Sequence, residues 1–140
     1  FENDLDKNTL SSIVNRYQKV YLILLNKKDR KIQISDSVYK FKTTLIENFS
    51  MEFSNIEIIS SNSLNQKING INNVDLIYPS IGDNYDFITR YGEINKITIN
   101  NLVRPEDLFA WKYAKKGFFK FKENIPSINK FLDEPKILWK

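Results

Sequence analysis

Six consecutive apolar residues, Val20-Tyr21-Leu22-Ile23-Leu24-Leu25, end abruptly at Asn26-Lys27-Lys28-Asp29. No other stretch of the chain limits its architecture as strongly. A run of this length, rich in Val, Tyr and Ile, reads as a strand buried on both faces. It is far too short to cross a bilayer. Strands covered on both sides belong to α/β folds, where helices pack on each face of the sheet. The run therefore predicts a central strand with a helix close by in sequence.

That helix follows at once. Ser35 or Asp36 can cap its first N–H groups. Val38, Phe41, Leu45 and Phe49 recur at helical spacing, with Ile46 broadening the stripe, over a helix ending near Phe53. Ile56-Glu57-Ile58-Ile59 then reads as a second strand. Residues 20–60 thus form a strand–helix–strand unit, and a right-handed crossover makes its strands parallel. Ahead of it, residues 4–18 carry Leu10, Ile13, Val14 and Tyr17 on one helical face, with Asp4 and Asp6 at the N-terminal end.

Beyond residue 60 the signals are weaker. Residues 60–73, rich in Ser, Asn, Gln and Gly, read as a mobile loop. Val74 to Tyr78 is a short apolar run. Asp83 or Asn84 can cap a short helix with Phe87, Ile88 and Tyr91, stopped by Gly92. Ile97 and Ile99 alternate with polar residues into Leu102-Val103. After Arg104-Pro105-Glu106-Asp107, the run Leu108 to Tyr113 alternates again. Two such runs across a polar turn predict an antiparallel hairpin. Trp111 then lies mid-strand with Phe109 and Tyr113 and is expected to be buried. Pro126 fits the first turn of a closing helix carrying Ile128, Phe131 and Leu132. No repeat or linker divides the chain, so residues 1–140 read as one domain.

Composition removes whole classes of chemistry. The chain has no Cys and no His. Thiol–disulfide exchange, Cys–His and Ser–His nucleophilic sites, and His- or Cys-based zinc sites are all excluded. The carboxylate pairs Asp83/Asp86 and Asp4/Asp6 are explained by helix capping. Neither GxGxxG nor GxxxxGK[ST] occurs, so FAD or NAD(P)H has no usual dinucleotide cradle, and no cofactor or metal is expected. The net charge of +4 reads as a solvated surface.

One stretch has a further likeness. Arg90-Tyr91-Gly92, Leu102-Val103-Arg104-Pro105-Glu106-Asp107 and Ala110-Trp111-Lys112 resemble the signature of the thioredoxin-like C-terminal domain of flavin-dependent aromatic hydroxylases. The pattern usually has Asp-Gly where this chain has Glu106-Asp107. The likeness spans residues 20–113 and leaves the N-terminal helix and the tail from Phe118 outside. It implies an α/β, thioredoxin-like fold: a mixed sheet with a parallel βαβ half and a C-terminal β-hairpin, flanked by helices. It marks Arg90, Tyr91, Gly92, Arg104, Pro105, Ala110 and Trp111 as structural motif residues. It also implies a noncatalytic interaction domain, standing alone or as part of a larger flavoprotein, that packs on a protein partner, on the rest of a longer chain or on another copy of itself.

A second reading comes from residues 112–122. Lys112, Lys115, Lys116, Lys120 and Lys122 interleave with Phe119 and other aromatics, a combination that holds phosphates while bases stack on rings. The same pattern describes a strand with one apolar and one charged face. No RNA-binding signature accompanies it, so nucleic acid is the alternative partner rather than the leading one.

Overall fold

The structure is a computed structural model describing residues 1–133. The end of the 1–140 domain expected from sequence, and the Lys116 side chain, lie outside the described residues. The chain divides into two compact units, residues 1–100 and the residues from Asn101 onward, each described by itself.

The first unit opens with α1 (Lys7–Ile13), continued by a 3-10 turn, Val14–Arg16. Asp6 caps it: one carboxylate oxygen accepts the Thr9 N–H at 3.1 Å and the other accepts the Thr9 hydroxyl at 2.6 Å. β1 (Val20–Leu24), α2 (Asp36–Ser50) and β2 (Ile56–Ser60) follow, with Ser35 accepting the Val38 N–H. β1 and β2 are parallel, from Val20 opposite Ile56 to Leu24 opposite Ser60. β1 is covered on both faces, as its unbroken apolar run predicts. Leu22 and Leu24 pack with Ile46, Tyr39 and Phe49 of α2. Ile23 faces the other way, toward Ile59, Leu64, Ile68 and Ile88.

The helix α2 corrects one expectation. Its inward face is Tyr39, Ile46 and Phe49, whereas Val38, Phe41 and Leu45 are 42%, 65% and 41% exposed. Two apolar stripes lie side by side on this helix and share its C-terminal end. β1 takes the one containing Ile46, which is fully buried.

The second half of the unit repeats the first. β3 (Asn73–Ile77), α4 (Asp83–Asn95) and β4 (Thr98–Leu102) form another strand–helix–strand run, with β3 beside β4. The Thr98 N–H donates to the Asn72 carbonyl at 2.8 Å and the Asn100 amide donates to Asp75 at 3.0 Å. Contacts advance together along both strands, so this pair is parallel too. Residues 60–73 are not an open loop. A 3-10 turn, Ser61–Ser63, and the short α3 (Leu64–Lys67) pin them through buried Leu64 and Ile68.

Gly92 does not stop its helix. It lies buried inside α4, which runs on to Asn95 and is ended by Lys96 at φ 54°. A Cβ on Gly92 would sit 2.7 Å from Ile99 Cδ1 and 3.1 Å from the Ile97 carbonyl oxygen. The missing side chain lets β4 lie directly against the helix.

The first arm of the expected hairpin forms as β4, but it pairs with β3, and in the second unit the second arm is replaced by helices: α5 (Pro105–Trp111), a 3-10 turn at Ala114–Lys116, α6 (Phe118–Lys122) and α7 (Ile125–Asp133). Pro105 takes the first helical position, where its missing N–H costs nothing, and Glu106 and Asp107 complement the helix N-terminus. Phe109 stacks on Phe131 of α7 with ring centroids 4.3 Å apart. Trp111, expected in the core, is 43% exposed. Among the described residues the broad α/β class therefore holds, but as two two-stranded parallel sheets with helices. Among the described residues, no helix is long and apolar enough to cross a membrane.

Candidate functional site

Open parallel sheets take ligands outside the carboxyl ends of their strands. Here that place is filled by the chain's own first residues. At the end of β1, Arg30 Nη2 donates to Glu2 Oε1 at 2.6 Å and to the Leu25 carbonyl at 2.7 Å. The Leu25 N–H reaches Glu2 Oε2 at 3.4 Å, and Lys42 Nζ stands 3.8 Å from Oε1. The Arg30 and Glu2 side chains are 3% and 0% exposed. Such a pair persists in the interior only because each charge meets an opposite charge and directed hydrogen bonds.

Two residues on, Asp4 Oδ1 accepts both the N–H and the hydroxyl of Ser80, at 3.1 and 2.7 Å. Asp83, just beyond Ser80, accepts the Lys31 N–H at 3.0 Å, and Lys31 Nζ pairs with Asp86 at 2.6 Å. Asp86, by hydrogen bond and then by charge, holds the Lys31 ammonium above its ordinary range. The contacts therefore close a ring: Arg30 to Glu2, along the chain to Asp4, across to Ser80, along to Asp83, and back through Lys31.

Beside this ring the loop after β1 meets the loop after β2. The Asn26 N–H donates to Ser61 Oγ at 3.0 Å, and that hydroxyl donates to Asp29 at 2.6 Å. Several buried polar atoms here have no hydrogen-bond partner among the described residues: Asp4 Oδ2, Asn26 Nδ2, Arg30 Nε and both side-chain polar atoms of Asn84. Asn84 itself is only 2% exposed. Orphans gathered after the ends of β1 and β3 mark a place whose hydrogen-bonding capacity the chain does not exhaust. Among the described residues, no group of three or more acidic, His or Cys side chains is arranged to hold a metal ion.

No protein-family model, curated protein or solved structure matches the chain.

The residues singled out from sequence lie elsewhere, in two sets. Arg90, Tyr91 and Gly92 belong to α4 in the first unit. Arg90 is exposed, and the Tyr91 hydroxyl donates to Asn65 Oδ1 at 2.6 Å. Burial raises the Tyr91 phenol above its ordinary pKa. Pro105, Ala110 and Trp111 belong to α5 in the second unit, and Arg104 stands at its N-terminal cap. Arg104 grips Asp107 through Nε and Nη2 at 2.7 and 3.0 Å, the local pairing its neighbours suggest.

The basic–aromatic segment is helical rather than extended. Lys112 Nζ sits 3.6 Å above the Phe109 ring, and Lys120 pairs with Glu123 at 3.0 Å. Lys115 and Lys122 are exposed, and Phe118 and Phe119 are 69% and 80% exposed. Sequence reasoning missed Glu2, Arg30, Lys42, Ser80 and Asn84. The available signal was position: Arg30 follows the end of β1, and Ser80 and Asn84 follow the end of β3.

Proposed function

We propose that the chain is a noncatalytic interaction module that docks a protein through the outward stripe of α2. The supporting observation is the exposure of Val38, Phe41 and Leu45 along one flank of a helix whose inward face is already satisfied by Ile46. A contiguous apolar stripe left in water marks an association surface. The reading assigns the module no flavin and no reaction of its own. The finer, thioredoxin-like interpretation rests on the parallel β1–α2–β2 half. Its hairpin half has no counterpart among the described residues. A photo-crosslinking residue at position 41, in the protein expressed in its own cells, should capture a discrete protein adduct. That adduct is either a second copy or another chain. Absence of any adduct from positions 38, 41 and 45 alike would remove the proposal.

A second reading has its own support. Phe118 and Phe119 stand in solvent beside Lys115 and Lys122, as rings and cations do on single-stranded nucleic-acid platforms. This reading requires salt-dependent binding to single-stranded oligonucleotides that weakens when both phenylalanines become alanine. Binding indifferent to salt or to those substitutions excludes it.

A further inference from the structure

We propose that Arg30, Lys42 and the Leu25 amide form a carboxylate-binding cradle, and that Glu2 is its resident, displaceable occupant. Three observations carry this. The cradle is a built site: a guanidinium 3% exposed and a backbone N–H hydrogen-bond one carboxylate, and the Lys42 ammonium, itself bonded to Asn3 Oδ1, adds its charge from 3.8 Å. It lies at the carboxyl end of a parallel strand, where sheets of this kind receive ligands. Glu2 also uses the cradle incompletely. Arginine binds a free carboxylate best side-on, through two parallel N–H bonds. Here Nη2 alone reaches Glu2, and Nε is buried with no hydrogen-bond partner among the described residues.

The segment that delivers Glu2 is anchored by Phe1 in the core but leaves one polar atom unsatisfied. Asp4 satisfies Ser80 with one oxygen while its other oxygen is buried with no hydrogen-bond partner among the described residues. An untethered carboxylate could take both Nε and Nη2. Releasing residues 1–4 would return the orphaned Asp4 oxygen to water. The ligand class is therefore a small molecule or chain terminus bearing a carboxylate, recognised at the Arg30 fork.

The test is chemical rescue. Glu2→Ala leaves the cradle vacant and should melt below the wild type. Sodium acetate should restore more than half of that loss in a saturable way, and sodium chloride at matched ionic strength should not. Arg30→Met in the same background should abolish the rescue. If the alanine variant does not fold on its own, recovery of its folded signal by acetate and not by chloride carries the same comparison. In the wild-type chain, acetate should shift the Arg30 Nε–H resonance saturably as it displaces Glu2. Loss of stability that acetate does not restore overturns the proposal, since the pair is then only a structural ion pair. Rescue in the variant without a response in the wild type overturns displaceability. Equal rescue by inorganic phosphate overturns the assignment to carboxylates.

Discussion

Gly92 shows how one absent atom can set the spacing of two elements. Adding a methyl group to a helix interior would ordinarily raise helix propensity by about 1 kcal/mol. Here the new carbon would meet Ile99 Cδ1 at 2.7 Å and, less forgivingly, the Ile97 carbonyl oxygen at 3.1 Å. The isoleucine tip can turn, but the backbone carbonyl can move only with β4. Gly92→Ala should therefore destabilise the protein by ~1–3 kcal/mol, the usual cost of overpacking. A urea midpoint at or above the wild-type value would show that β4 shifts freely. Tyr17 gives a residue-scale prediction about pH. Its hydroxyl donates to Asp75 at 2.7 Å. Burial first, then that hydrogen bond and the Asp75 charge, raise the phenol from 10.0 to about 12, against a smaller lowering by Arg16. The folded state thus holds the phenolic proton more tightly than the unfolded chain, whose tyrosines titrate near ~10. Its stabilising contribution is complete below pH ~10 and is lost as pH rises through the folded value. Ultraviolet titration should show a late phenol that disappears in Tyr17→Phe. If the variant loses an ordinary phenol and keeps the late ones, the Asp75 contact does not form in solution.

Among the elements, α2 separates what the sequence reveals from what it hides. Its existence, its Ser35 cap and its place between two parallel strands are all readable, because each depends on residues near one another in the chain. Its orientation is not. Both apolar stripes have helical spacing, and only the arrival of β1 beneath Ile46 selects between them. The energetic consequence is testable. Ile46→Ala should cost ~2–5 kcal/mol, as large-to-small changes in a closed core do. Phe41→Ala should change stability by no more than ~0.5 kcal/mol, as exposed substitutions do. Reversed magnitudes in denaturant titrations would place the other stripe inside. The α5 region fails from sequence for a related reason. Leu108 to Tyr113 is six residues long, short enough to satisfy a period of two or of 3.6. Pro105 suits a turn or a helix start equally well, and the contact that decides, Phe109 on Phe131, is distant in sequence. The candidate site was illegible on the same principle. Glu2 and Arg30 are 28 positions apart, and Arg30 stands in a run of charges that reads as solvated surface.

At the scale of the whole molecule, burial is unevenly shared. Among the described residues, every fully buried side chain lies in the first unit, and none lies from Asn101 to Asp133. Backbone amides that open only with the core exchange most slowly with solvent. Hydrogen exchange should therefore show the strongest protection in β1, β2 and the centre of α4, with α5, α6 and α7 exchanging much faster. Comparable protection across both regions would mean that the helices after Asn101 gain cover that their exposure does not show. The doubled strand–helix–strand plan also bears on how the chain is made. β1, α2 and β2 come from residues 20–60 alone, and Glu2 finds its partners at Leu25 and Arg30. This half can close while later residues are still inside the ribosome, since domains fold from the N-terminus as they are synthesised. Asp4 must wait for Ser80. A nascent chain arrested before that residue emerges would carry one end of its strap fastened and the other loose.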